Sequence, residues 1–378
     1  MEDLREKIIR LIRPYTGHRE GGPITFERFM EMALYEPGMG YYASPHTGLG
    51  RAGDYYTSPH MHPVFGAAIG RQVQEMWHAM GRPEGFDIIE MGAGRGYLCL
   101  DMLDYLRGGE FFSRLTYTLV EINPYMAEKQ KELLKNFEDK VRWASSPEGL
   151  GQVRGCVLSN ELLDSFPVHL VEMEDGLKEV YVSFEGNKFV EVLGPPSTAG
   201  LAGYLREFSI GLPRGYRTEI SLKVRDWLRA VDKVLTEGFI LTIDYGYPAA
   251  EYYSEERTRG TLLCYKGHTL SEDPYEDIGR KDITAHVNFS ALKKWGEESG
   301  LKCLGFCPQG TFLVASGIDE LIAGLYAGRD DYLFEVAKIK RLILPGTMGE
   351  THKVMAQYKG EKVPALSGFS LRDQSRYL

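Results

Sequence analysis

A chain of 378 residues that is 43% hydrophobic and 12% aromatic holds enough apolar material for a large core, arranged as one domain with insertions or as two domains. With 44 basic against 53 acidic side chains the formal net charge is −9 and no dense basic run occurs, which argues against nucleic acid as a partner. No apolar run approaches the roughly 20 residues of a bilayer span, and the opening M-E-D-L-R-E-K is too charged for a signal peptide and too acidic for a transit peptide; the expectation is a prokaryotic cytoplasmic protein without membrane insertion.

In chain order the first signals are helical. Leu4, Ile8, Leu11 and Ile12 recur at helical spacing between Glu2 and Arg13, and Thr25 is placed to cap a second helix carrying Phe29, Met30, Ala33 and Leu34. Glu36 to Pro63 is rich in Gly, Pro and Tyr and reads as an irregular, lid-like loop that contains Thr57, His60 and His62. Pro63 then opens a helix with Phe65, Ile69, Met76 and Trp77. From Gly85 the pattern alternates: strand Phe86 to Met91, helix Tyr97 to Leu106, strand Leu115 to Ile122, helix Pro124 to Phe137. Such alternation predicts a parallel α/β sheet with helices on both faces. Val141 to Ala144, Gly155 to Asn160 and Phe239 to Tyr245 continue it, each strand ending in polar residues.

An insertion separates the fourth and fifth strands. Val168 to Met173, Lys178 to Phe184 and Phe189 to Leu193 read as hairpin strands divided by E-D-G and E-G-N, followed by helices at Ser197 to Phe208 and Ser221 to Leu235. Beyond Asp244 come a Tyr-rich loop, a helix at Ser290 to Ser299, strands at Leu301 to Gly305 and Phe312 to Ser316, a helical span to Leu344 and a last strand at Lys353 to Tyr358. The implied organisation is an N-terminal helical region with its lid loop (1–79), a core (80–317) interrupted by an α+β insertion (166–225), and C-terminal helices with the final core strand (318–378). Five cysteines form no C-x-x-C pair, and Cys303 and Cys307 alternate as strand residues do, so no metal site is expected.

Two acidic groups flank the first strand–helix turn. E-M-G-A-G-R-G-Y (Glu90 to Tyr97) brings backbone at Gly92, Ala93 and Gly94 close to a ligand, and Glu121 ends the next strand, where a carboxylate can bind both hydroxyls of a ribose. A dinucleotide fingerprint would read G-x-G-x-x-G. Here the glycines run G-x-G-x-G after Glu90, whose charge suits an amine better than a phosphate, so S-adenosylmethionine is favoured over a nicotinamide cofactor. At the end of the fourth strand S-N-E-L-L-D-S-F-P offers Ser159, Asn160, Glu161 and Asp164, either as a cap and turn or facing a methyl acceptor, where paired carboxylates could grip a guanidinium. Asp244 in I-D-Y-G adds a third carboxylate or a turn residue, and His268 and His286 are further candidates, either as proton carriers or as structural residues.

Several longer motifs carry a family resemblance: G-D-Y-Y-T-S-P-H-M-H-P-V-F-G (Gly53 to Gly66), I-I-E-M-G-A-G-R-G (Ile88 to Gly96), V-E-I-N-P (Val120 to Pro124), S-N-E-L-L-D-S-F-P-V (Ser159 to Val168), R-G-T-L-L-C-Y-K-G-H (Arg259 to His268), D-I-T-A-H-V-N-F (Asp282 to Phe289) and M-G-E-T-H-K-V-M (Met348 to Met355). In these the chain resembles the MidA-like methyltransferases, which include a mitochondrial complex I assembly factor. His60 stands where members often carry an acidic residue. The resemblance implies a class I methyltransferase (Rossmann-like) sheet of about seven strands with the last antiparallel, S-adenosylmethionine as donor with S-adenosylhomocysteine as product, and a protein arginine, by analogy one in a respiratory complex I subunit, as acceptor. Glu90, Gly92, Ala93, Gly94, Glu121, Ile122, Ser145, Thr57 and Asn160 would then serve the donor, and Glu161, Asp164 and Asn160 the acceptor. An assembly chaperone that binds the donor without turnover and a small-molecule O- or N-methyltransferase are the alternatives.

Overall fold

The computed structural model describes residues 3–13, 21–45, 58–267 and 269–378. They fall into two compact units, one from Met1–Tyr55, Leu163–Asp226 and Tyr247–Ala291, the other from Tyr56–Leu162, Trp227–Gly246 and Leu292–Leu378. The described residues 3–13 and 21–45 fall in the same unit as the 166–225 insertion.

The second unit is built on strands β1 (Phe86–Met91), β2 (Leu115–Val120), β3 (Val141–Ala144), β4 (Val153–Asn160), β5 (Leu235–Tyr247), β6 (Lys302–Pro308) and β7 (His352–Lys359). Their order across the sheet is β3-β2-β1-β4-β5-β7-β6. The first five are mutually parallel, and β7 runs antiparallel to both neighbours, as the class I sheet requires. Parallel strands are covered on both faces, so their sequences are apolar with little alternation. Phe86, Ile88, Ile89 and Met91 of β1 are all buried, and so is Glu90. The order reverses at β1, whose neighbours are β2 and β4, and open α/β sheets bind ligands at the carboxyl ends of strands at such a switch point.

Helices α1 (Val64–Ala79), α2 (Tyr97–Leu106) and α3 (Pro124–Leu133) follow from local chemistry. Pro63 precedes α1, and His62 Nδ1 accepts the Val64 amide at 3.0 Å. Gly66 lets α1 meet α2, because a Cβ there would stand 2.4 Å from Asp101 Cβ. Asn123 caps α3 by accepting the Tyr125 amide at 3.0 Å, with Pro124 in its first turn.

One expected strand is absent. Phe312 to Ser316 belongs to a helix, Gln309–Ala315, and its end. The short apolar run carries no period that separates strand from helix. Packing decides it: Gly310 lies so close to the Ile343 carbonyl that a Cβ would stand 2.3 Å away, and Phe312 and Leu313 are buried.

In the first unit the expected hairpins form as an antiparallel meander of His169–Met173, Leu177–Glu185 and Lys188–Gly194. Gly186 (φ +53°) and Asn187 (φ +68°) make the tight turn, which needs two left-handed residues. Ile24–Thr25 adds to the Leu177–Glu185 strand, and the helices Leu4–Ile12 and Phe26–Tyr35 bury Ile8, Phe29 and Met30 with Val180 and Val182 in one core. Thr25 accepts the Arg28 amide at 3.1 Å, the expected cap.

Candidate active site

The turn after β1 is an open cradle. Gly92, Gly94 and Gly96 have φ of +72°, +53° and +87°, a region that side-chain-bearing residues avoid. A Cβ at Gly92 would press on Leu162 Cδ1 at 2.8 Å, whereas one at Gly94 would meet no atom within 4 Å, so free space lies above the turn. Ala93 is half-buried and its carbonyl accepts the Gly96 amide at 2.9 Å.

Beneath that turn the Glu90 side chain is 2% exposed, and its Oε2 accepts the Tyr117 hydroxyl at 2.7 Å. Burial pushes its carboxyl up to about 7, and the Tyr117 bond pulls the other way.

Glu121 directly follows β2. Its Oε1 accepts the Asn123 amide at 2.8 Å and its Oε2 accepts Gln130 Nε2 at 3.0 Å. The two carboxylate oxygens together offer about four lone-pair sites, so capacity for a ribose hydroxyl remains. Burial raises the Glu121 carboxyl, opposed by those two bonds and by one from the Ile122 amide. Gln130 of α3 also donates to the Gly94 carbonyl at 2.8 Å and accepts Trp143 Nε1 at 3.0 Å. This one amide ties the glycine turn, Glu121 and β3 together, and nothing in the polar stretch E-K-Q-K-E announces it. Ile122 is 54% exposed beside Glu121, and the exposed Ser145 follows β3.

At the end of β4 the backbone turns sharply. Glu161 takes φ +52°, and its amide donates to the Ile243 carbonyl at 2.8 Å. Its side chain is 4% exposed, and Oε1 accepts Asn160 Nδ2 at 3.2 Å and the Ser58 amide at 3.3 Å. Asn160 ends the strand and caps no α-helix, because the chain continues into a short 3-10 turn at Leu163–Ser165. Asp244 is buried and braces this corner, accepting the Leu162 amide at 3.2 Å and the Tyr245 amide at 2.8 Å, which is a turn role.

The unit boundary falls between Leu162 and Leu163, so Asp164 belongs to the first unit. It is buried there, its carbonyl accepts the Ala285 amide at 2.9 Å, and its charge helps burial raise the Tyr35 hydroxyl. Among the histidines, His62 Nε2 lies 3.0 Å from Glu335, His60 packs edge-on against Tyr97, and His286 against Tyr247. Thr57 and His268 lie outside the described residues. The sequence reading gave no role to Gln130, Ser58 or His352; of these, Ser58 and His352 sit in motifs that carried the resemblance, and Gln130 does not.

Residues 68–307 match the family model described as "Putative S-adenosyl-L-methionine-dependent methyltransferase". The chain belongs to this family of S-adenosylmethionine-dependent methyltransferases. A crystal structure of a COG1565 superfamily member from Burkholderia thailandensis, bound to S-adenosyl-homocysteine, is 32% identical and superposes with a TM-score of 0.90 over 99% of this chain and 96% of its own. Among curated proteins, the Drosophila melanogaster "Protein arginine methyltransferase NDUFAF7 homolog, mitochondrial" is 27% identical over 92% of this chain and 86% of its length. The Danio rerio protein arginine methyltransferase NDUFAF7 is 27% identical over 87% and 82%. S-adenosylmethionine is accordingly the cofactor, and the open glycine cradle with the Glu121 carboxylate at its edge fits it. No described helix is long and apolar enough to cross a membrane.

Proposed function

We propose that this methyltransferase modifies arginine side chains of a partner protein, with a subunit of a respiratory complex I as the first partner to try. The observation that carries this reading is Glu161, a carboxylate fixed in a left-handed backbone conformation at the end of β4. A non-glycine residue held at positive φ costs about 1–3 kcal/mol and is a mark of functional corners. The naming of several relatives as protein arginine methyltransferases supports arginine as the acceptor.

Bound S-adenosylmethionine supplies a methyl group on a cationic sulfur. Gly92, Ala93 and Gly94 give backbone room for it, Glu121 takes the ribose, Ile122 and Ser145 border the adenine, Thr57 completes the donor side, and Asn160 stands between donor and acceptor. Glu90 acts from under the turn as a negative charge toward the donor's ammonium. Glu161 faces the acceptor, accepts hydrogen bonds from its nitrogen and takes the proton that this nitrogen releases.

The test is methyl-labelled donor incubated with a cell lysate lacking the native enzyme. Label should enter a protein band, map to arginine by mass spectrometry and disappear with Glu161→Gln, while that variant still binds S-adenosylhomocysteine in calorimetry. Label in a soluble metabolite would move the assignment to small-molecule methylation. Donor binding without label in either fraction would point to the assembly-chaperone reading.

A further inference from the structure

Every described contact to the Glu161 carboxylate falls on the same oxygen. Oε1 receives the Ser58 amide at 3.3 Å and Asn160 Nδ2 at 3.2 Å, and His352 Nε2 stands 3.5 Å away. His352 opens β7 and is fully buried. It pairs with Tyr245 across the β5–β7 ladder, and the two rings lie 3.9 Å apart. Its Nδ1 is 3.3 Å from Thr351 Oγ1. The ring is held on that side and at that nitrogen, and among the described residues Nε2 has no hydrogen-bond partner, the Glu161 oxygen standing 3.5 Å from it. A buried ring nitrogen without a partner is costly, so the pair favours one setting of the carboxylate.

The same arrangement orients Asn160. With Nδ2 committed to Glu161 Oε1, the amide is fixed with Oδ1 turned elsewhere, and Oδ1 is buried without a partner. Among the described residues, Asn160 Oδ1 has no partner and no hydrogen bond falls on Glu161 Oε2, which leaves two acceptors at this corner. A hydroxyl has one hydrogen and satisfies one of them. A nitrogen bearing two hydrogens satisfies both.

We propose that His352 is a positioning residue that holds Glu161 Oε1, so that Glu161 Oε2 and Asn160 Oδ1 together receive an acceptor nitrogen carrying two hydrogens. This rests on the reading of Glu161 as the group facing the acceptor. It extends that reading to a residue on the last strand and to a substrate class, NH2-bearing guanidinium or amide groups over hydroxyls.

The test compares wild type with His352→Leu and His352→Gln. Three readouts are needed: label transfer from methyl-labelled donor to lysate protein, S-adenosylhomocysteine affinity, and the Asn160 side-chain amide resonance in the 15N-labelled S-adenosylhomocysteine complex. His352→Leu should slow transfer ~10- to 100-fold at unchanged S-adenosylhomocysteine affinity, since losing the alignment of a reacting group costs on that order. His352→Gln, whose amide can donate to the same oxygen, should recover most of that loss. The Asn160 resonance should be shifted from its free-amide position in wild type and in His352→Gln, and should return toward it in His352→Leu. A His352→Leu variant at wild-type speed, a loss of S-adenosylhomocysteine binding that parallels the loss of rate, or an unmoved Asn160 resonance in His352→Leu overturns the proposal. If wild type labels no protein, the proposed function fails, and the resonance alone then decides whether His352 sets the corner.

Discussion

In the proposed donor pocket Glu121 is the residue that would meet the ribose, and Gln130 holds its carboxylate in place. The Glu121 carboxylate accepts from the Asn123 and Ile122 amides and from Gln130, which leaves lone-pair capacity for a ribose hydroxyl. Glu121→Ala removes the acceptor outright, and hydrogen bonds to a charged group are worth about 1.5–3 kcal/mol. S-adenosylhomocysteine affinity measured by calorimetry should therefore fall at least ~10-fold. Gln130→Leu leaves the carboxylate but cuts its tie to the Gly94 carbonyl and to Trp143. Its affinity loss should be smaller than that of Glu121→Ala; an equal or larger loss would mean that the pocket is set mainly from α3. Glu121 was legible because a carboxylate ending the strand after a glycine turn has few other uses, whereas Gln130 looks in sequence like any polar helix residue.

At the scale of elements, strand and helix alternation through the first five core strands was readable because apolar runs of four to eight residues bounded by caps and glycines leave little choice. The segment at Phe312 was not, because its few apolar residues fit either period and the choice is made by Ile343 from a distant part of the chain. That packing gives a direct prediction. Gly310→Ala puts a methyl group into the Ile343 carbonyl, and overpacking of this kind costs about 1–3 kcal/mol. Urea unfolding should show that loss, and a variant as stable as wild type would mean that the two segments separate easily. The corner after β4 was half legible in the same sense. S-N-E announced polar groups leaving a strand, but the positive φ of Glu161 and the arrival of His352 from β7 depend on strands placed side by side by the fold.

For the whole molecule, the buried Glu90 makes stability depend on pH in a defined direction. Its carboxyl titrates near 7 in the folded chain, above the ordinary value of 4.5, because burial disfavours the charged form. A group raised in this way stabilises the fold fully below its unfolded pKa, and that contribution is lost as pH rises through about 7. Glu90→Gln keeps an acceptor for the Tyr117 hydroxyl and has no charge to bury. Unfolding free energies at pH 5 and pH 8 should then show wild type losing up to about 3 kcal/mol relative to Glu90→Gln across the interval. A constant difference between the two proteins would show that Glu90 does not titrate there.

By itself the sequence determined the α/β class, the glycine turn with its two flanking carboxylates, the hairpins of the insertion and the family, because strand periods, turn residues and cap residues act over a few positions and write themselves into local spacing. Tertiary structure decided the rest. It built one core from the N-terminal helices and the insertion, because apolar faces such as those of Phe29 and Val180 are interchangeable in sequence and find partners only by shape. It assigned Asp164 and Glu161, three residues apart, to different units. It also brought Ser58, Glu161 and His352, from positions nearly 300 residues apart, onto one carboxylate oxygen, a convergence that exists only once β4, β5 and β7 lie side by side.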